Sequence, residues 1–227
     1  MCIARDGEPQ FDAPAVDDTA LRCSVNVPDL TTEAFAPVWS GGAVKVIEVY
    51  PDLLLTGSLV AEPRVEEGRL AADPARDLLL AACLERHHGT GAIGVGLVKG
   101  FGLQRGALAS TVGHDSHNIT VVGVTPAAMR RAVEAVVAAG GGLAAADDEQ
   151  VLRLLPLPLA GLMSDLPVRE VAAQRRALAV AAEGLGTALP DPFMTLSFVS
   201  LSVIPALRLT PRGLVDVNRF VLVGLEA

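Results

Sequence analysis

Residues 93–124 read IGVGLVKGFGLQRGALASTVGHDSHNITVVGV, and their reading decides the fold. Ile93, Val95 and Leu97 alternate with Gly94 and Gly96, the period of a strand with one face stripped of side chains. Glycine inside a strand marks close approach by another backbone or by a ligand. Ala107 to Val112 and Ile119 to Val124 read as two more strands, joined by Gly113 to Asn118. Directly after them Thr125 stands as an N-cap, and Pro126 takes the first helical turn, where a missing N–H costs nothing. This helix carries Met129, Val133 and Val136 and stops at Gly140-Gly141-Gly142.

Working outward, the pattern from Val44 is β-like through Val46, Ile47 and Val49, and again over Leu53 to Leu55. Asp77 to Glu85 has no clear period and fits helix or strand equally. Leu143 to Ala146 and Val151 to Leu155 bracket Asp147-Asp148-Glu149 as a hairpin. A second helix, capped by Ser164 or Asp165, carries Val168, Val171, Leu178 and Ala182 on one face and ends near Gly184 or Gly186. Met194 to Val203 and Val215 to Val223 read as strands. Residues 1–43 are irregular and rich in Pro and Asp, with a tight turn at Arg5-Asp6-Gly7-Glu8 that puts Met1 inside a strand. The expectation is an α+β fold in which two main helices cover mixed β-sheets, with 1–43 as a linking segment and 44–227 as the domain proper.

Composition narrows the function classes. Apolar residues make up 51% of the 227 and aromatics only 4%, so the core is built from Ala, Val and Leu. The formal net charge is −8, and the densest basic spots are the pairs Arg130-Arg131 and Arg175-Arg176. Nucleic-acid binding, which needs clustered cations, is not expected. The stretch Leu196 to Leu207 is cut by serines and Pro205 and falls short of a membrane span. The N-terminus lacks the apolar run of a signal peptide. Three cysteines, Cys2, Cys23 and Cys83, with no C-x-x-C, imply neither a disulfide framework nor a zinc ribbon, and a reducing cytoplasmic setting is expected.

All four histidines fall into two short polar segments, Glu85-Arg86-His87-His88-Gly89-Thr90-Gly91 and His114-Asp115-Ser116-His117-Asn118. The three-residue spacing of His114 and His117 suits a shared metal or a shared proton path, and Asp115 can ligate or orient a ring. Adjacent His87 and His88 point to opposite faces of a strand, so one of them at most enters a given pocket. The plain alternative is a pair of hydrogen-bonded loops with ordinary turn glycines. Gly89-Thr90-Gly91-Ala92-Ile93-Gly94 matches G-x-G-x-x-G, but the motif must open a helix and here runs into a strand, so no nucleotide cofactor is expected. Ser164 and Asp165 cap the second helix, whose N-terminus can also hold a polar ligand edge. No Ser-His-Asp triad can be assigned.

These segments, with GLVKGFGLQRG (96–106), LPLPLAGLMSD (155–165), DPFMTLSF (191–198) and Gly213 to Val217, resemble the C-terminal domain of bacterial adenine deaminases in the amidohydrolase superfamily. Residues 1–12 are similar to the last hairpin of the small β domain beside that family's barrel. The resemblance implies hydrolytic deamination of adenine to hypoxanthine and ammonia, with Mn or Fe (Zn as the alternative) held on a (β/α)-barrel. Here no H-x-H occurs, and no TIM barrel fits, since one needs roughly 200 residues or more.

Three readings follow. In one, a separate barrel chain supplies the metals and the His114–Asn118 loop lines the joint site. In another, the chain is a stand-alone enzyme of different activity, with His87, His88, His114 and His117 binding metal or acting as acid and base on a small molecule. In the last, it is a non-catalytic ligand-binding or remnant domain. On the enzymatic readings His114, Asp115 and His117 are catalytic, and His88, Asn118, Ser164 and Asp165 bind a purine-like substrate. An apolar face left by a missing barrel would favour a barrel partner, and a homo-oligomer is expected for the isolated chain.

Overall fold

The computed structural model describes residues 3–6, 8–12 and 16–227. The Arg5–Glu8 turn depends on Gly7, which, like Met1 and Cys2, lies outside the described residues. Around it Ala4–Arg5 pairs with Glu8–Pro9.

The centre is an eight-stranded sheet. Its strands are β1 (Val44–Val49), β2 (Thr56–Ala61), β3 (Leu79–Leu84), β4 (Ile93–Lys99), β5 (Ala107–Ser110), β6 (Ile119–Gly123), β7 (Gly142–Ala146) and β8 (Val151–Pro156). Their order is β8-β7-β5-β6-β3-β4-β1-β2, and only β1 and β4 run parallel. The ambiguous Asp77–Glu85 stretch resolves as β3, paired on both sides and buried at all six positions. A strand covered on both faces carries a continuous apolar run, which is why no period was legible there.

Two main helices pack on this sheet, α1 (Pro126–Ala138) and α2 (Val168–Gly184). Thr125 caps α1 as expected, its side chain accepting from the Ala128 N–H. The N-cap of α2 is Pro167, with no side-chain cap bond, so neither Ser164 nor Asp165 fills that role. Leu178 and Ala182 are buried, but Val168 is 80% exposed, because the helix begins clear of the core.

The expected strand over Met194–Val203 is instead a helix, α3 (Pro192–Val199). Asp191 caps it by accepting from the Met194 N–H, and Pro192 takes the first turn. Cap and proline outweigh the β-prone run that follows. Leu53 to Leu55 are not strand either; they form an exposed turn before β2. A three-stranded antiparallel sheet, β9 (Leu207–Thr210), β10 (Gly213–Asp216) and β11 (Val221–Val223), completes the fold. The architecture is a mixed α+β fold with no closed barrel. Among the described residues no helix is long and apolar enough to cross a membrane.

The bare face of β4 now has its reason. A Cβ on Gly94 would lie 2.0 Å from the Thr210 carbonyl oxygen and 2.8 Å from the Gly213 nitrogen. The approaching group is therefore backbone, the β9–β10 turn. Cys83 and Thr120 share this face through the registers Gly94–Cys83 and Cys83–Thr120. Gly123, of opposite parity, is covered by Met129 of α1. Helix α1 and the small sheet thus clamp the large sheet from its two sides. Gly94→Ala is expected to cost about 1–3 kcal/mol through overpacking, whereas Gly184→Ala, helical and with nothing within 4 Å of its Cβ position, is expected to stabilise by up to about 1 kcal/mol. Urea unfolding of the two variants measures the contrast.

Candidate functional site

The two histidine segments meet at one end of the large sheet, because β3 leads out through Glu85 and Arg86 while β6 is entered through the 113–118 loop. Leu84 and Ile119 are register partners, so the two segments begin side by side. Arg86, 1% exposed, lies between them. Its guanidinium donates to the carbonyls of His117, Ser24 and Ala160, the last two at 3.0 Å. Burial pulls its pKa down, an effect partly opposed by the charge of Glu85. Gly161 is required beside it: with φ +71°, it would place a Cβ 2.8 Å from Nη1 of Arg86.

Glu85 organises the first loop. Its carboxylate accepts from the backbone N–H groups of His87, His88 and Thr90 and from the Thr90 hydroxyl. Burial pushes this carboxyl up, but the hydrogen bonds from His88, Thr90 and His87 outweigh burial and hold its pKa at about 2. Glu85 is therefore an ionised strut whose acceptor capacity is occupied. Asn26 straps the loop from outside, its N–H donating to the Arg86 carbonyl at 2.7 Å and its amide to the His87 carbonyl at 3.1 Å.

The second loop is a tight turn. Asp115 and His117 have φ values of +67° and +46°, and the His117 N–H reaches the Gly113 carbonyl at 2.7 Å. A ring nitrogen of His87 bonds the Ser116 carbonyl at 2.8 Å, joining the two histidine segments directly. His114 is anchored from the other side: its N–H donates to the Ser197 carbonyl at 3.0 Å, and its ring stacks on Phe198 at 4.2 Å. Burial, helped by the charges of Arg86, His114 and His87, holds the His117 pKa below its ordinary value, so the ring is neutral at pH 7.

Among the described residues Nε2 of His114, Nδ1 of His117, Oδ1 of Asn118 and Oγ of Ser200 are buried with no hydrogen-bond partner. A Cβ on Gly113 would be 3.0 Å from Oγ of Ser200 and 3.4 Å from the Asn118 carbonyl, so the end of α3 closes on this loop. Unpaired buried polar atoms are costly, and their concentration in one loop marks a place built for something other than stability. Of these four residues Asn118 also lines a cavity of about 440 Å³, together with Glu85, Arg212, Val215, Phe220 and Leu222. A larger cavity of about 830 Å³ lies between Arg64–Ala72 and Thr125-Pro126, with no histidine on its wall.

The remaining expected site residues fall as follows. Asp115 and His88 are exposed at the rim. Asp165 forms an ion pair with Arg22 at 2.8 Å, and Oγ of Ser164 accepts from the Leu166 N–H. That segment reaches the histidines only through Ala160 and Gly161, by way of Arg86. Among the described residues no three of His, Cys, Asp and Glu come together as a metal-binding group. Arg86, Phe198 and Ser200 were missed as site-building residues. A lone arginine between an acid and two histidines was the available signal for the first.

Comparison with known proteins follows the same lines. The family model described as the adenine deaminase C-terminal domain matches residues 53–221. The chain belongs to the adenine deaminase C-terminal domain family. It is similar to an adenine deaminase of Desulfatibacillum aliphaticivorans, 46% identical over 98% of this chain and 39% of that protein. It is also similar to adenine deaminases of Methanothrix thermoacetophila (45% identical, 96% of this chain, 38% of the relative) and Moorella thermoacetica (49% identical, 98% and 38%). The chain thus spans about two-fifths of the length of these relatives.

The Glu85 strut sets an acid limit. A depressed carboxyl pKa adds stability that is complete above the unfolded value near 4.5 and lost as pH falls towards about 2. The stability difference between the wild type and Glu85→Gln is expected to be constant above pH 5 and to shrink between those limits. Thermal unfolding at stepped pH measures it, and a difference independent of pH contradicts the assignment.

Proposed function

We propose that this chain is the C-terminal part of an adenine deaminase-type hydrolase, completing a site whose metals sit on a separate barrel chain. The reaction is hydrolytic deamination of adenine to hypoxanthine and ammonia. The observation that carries the reading is the histidine loop itself: Nε2 of His114, Nδ1 of His117 and Oδ1 of Asn118 are buried, fixed and unpartnered, in a chain that covers 39% of a relative named adenine deaminase. Mn or Fe, with Zn as the alternative, belongs to the barrel in this reading, because these histidines form no metal-binding group.

The chain's own residues position and protonate. His117, neutral at pH 7, accepts or returns a proton at Nδ1. His114 holds its ring against Phe198 and offers Nε2, and Asp115 stands exposed beside them. Asn118 and His88 face the edge of a purine. Ser164 and Asp165 take no part, being held by Leu166 and Arg22. The free thiols Cys23 and Cys83, the latter pushed up to about 12 by burial, suit a reducing cytoplasm.

The test is an adenine-to-hypoxanthine assay on the chain alone and on the chain co-expressed with a metal-loaded barrel chain. Turnover is expected only from the pair. His117→Ala is expected to lower kcat of the pair by roughly 10²-fold or more, the usual loss for a general acid or base. The pair's activity is expected to fall on acidification as His117 becomes protonated, at a pH below the ordinary imidazole range because burial holds its pKa down. Turnover by the chain alone contradicts the proposal.

A further inference from the structure

Leu53, Leu54 and Leu55 are consecutive and 56%, 48% and 53% exposed. Three adjacent exposed leucines in a turn are unusual for a surface left to water. The turn is held in place. Arg208, fully buried, donates to the Leu54 carbonyl and to those of Ile204, Phe198 and Pro205. Next to it, the Thr56 N–H donates to the Pro205 carbonyl at 3.0 Å, and the Thr56 hydroxyl donates to the Leu207 carbonyl at 2.8 Å. The leucines are therefore presented by a fixed backbone. Between them and α3 lies a cleft of about 210 Å³ lined by Leu53, Leu54, Met194, Thr195 and Phe198. Met194 is itself 51% exposed. Phe198, on the cleft wall, stacks on His114. One aromatic ring thus separates this apolar surface from the histidine loop.

We infer that Leu53–Leu55 and Met194 form the docking surface for the barrel chain, and that docking bears on His114 through Phe198. This rests on the reading under Proposed function. The occupant is argued from length: the relatives carry about three-fifths of their chain outside the part matched here, since the match covers 39% of one and 38% of another. An apolar face with no cover among the described residues is a face for that remainder. Its position is one ring from His114.

The test is co-expression of the tagged chain with the N-terminal remainder of the Desulfatibacillum aliphaticivorans adenine deaminase. The wild-type chain is expected to retain the remainder on the affinity resin. Leu54→Asp and Met194→Asp, on separate segments, are each expected to reduce retention at least tenfold. Val168→Ser, an 80% exposed residue at the start of α2, is expected to retain it fully. Circular dichroism and melting of the variants confirm that each is folded. In the isotope-labelled chain, binding is expected to move the His114 ring resonances. Retention unchanged by both aspartate variants overturns the surface while leaving the proposed reaction standing. Failure of the wild type to retain the remainder overturns it as well. So does sedimentation of the wild type alone as a dimer that Leu54→Asp dissolves, since the occupant is then a second copy. Retention through this surface without deamination by the pair upholds the inference and sinks the proposed reaction.

Discussion

One buried cation organises the candidate site. Arg86 lies where three stretches of chain converge, and its planar fork takes one carbonyl from each: Ser24, His117 and Ala160. It has no carboxylate partner, so it is solvated by backbone dipoles in place of water. That arrangement works only while all three loops are present, because a buried guanidinium stripped of acceptors is strongly disfavoured. The loops in turn lose the partner of a buried carbonyl if the arginine moves. The left-handed turn at Ala160-Gly161 and the positive φ of His117 are local distortions tied to this centre. The histidine loop is thus fixed by a neighbour that does no chemistry of its own.

Arg208 repeats the device under α3. It too is fully buried and bonded only to carbonyls, those of Leu54, Phe198, Ile204 and Pro205, and burial pushes its pKa down to about 10. It still carries its charge at neutral pH. The two arginines stand on either side of the His114–Phe198 stack. One fixes the loop that carries the histidines, and the other fixes the helix end and leucine turn that lean on it. Proton-transfer groups need such rigidity, since small errors in position weaken catalysis steeply.

Much of the fold was legible in the sequence where local chemistry and tertiary context agree. Thr125-Pro126, the triple glycine after α1 and the Asp147–Glu149 turn each state their role locally. The glycine alternation at 94 and 96 announced a close approach, although not what approaches. Local patterns failed where packing overrides them. β3 shows no period because both its faces are covered. The α3 segment has strand-like composition, yet Asp191 and Pro192 start a helix. Leu53–Leu55 look like core and are surface. The two histidine clusters were visible as clusters and do lie side by side. What each ring meets was not visible, because the choice between ligation and backbone hydrogen bonding, as at His87 and Ser116, is made by loop geometry. Arg208 was invisible as an anchor and Arg86 showed only as a lone arginine between an acid and two histidines, since an arginine's burial depends on carbonyls distant in sequence.

The account rests on Arg86 coupling three loops into one unit. The most direct measurement is residue-resolved amide hydrogen exchange in Arg86→Met against the wild type. The amides of Asn26, His117 and Ala160, each hydrogen-bonded beside the clamp at 2.7, 2.7 and 2.9 Å, are expected to lose protection together. Val121 and Leu108, in the buried sheet, are expected to stay slow. Faster exchange at only one of the three, or at none, would contradict the account.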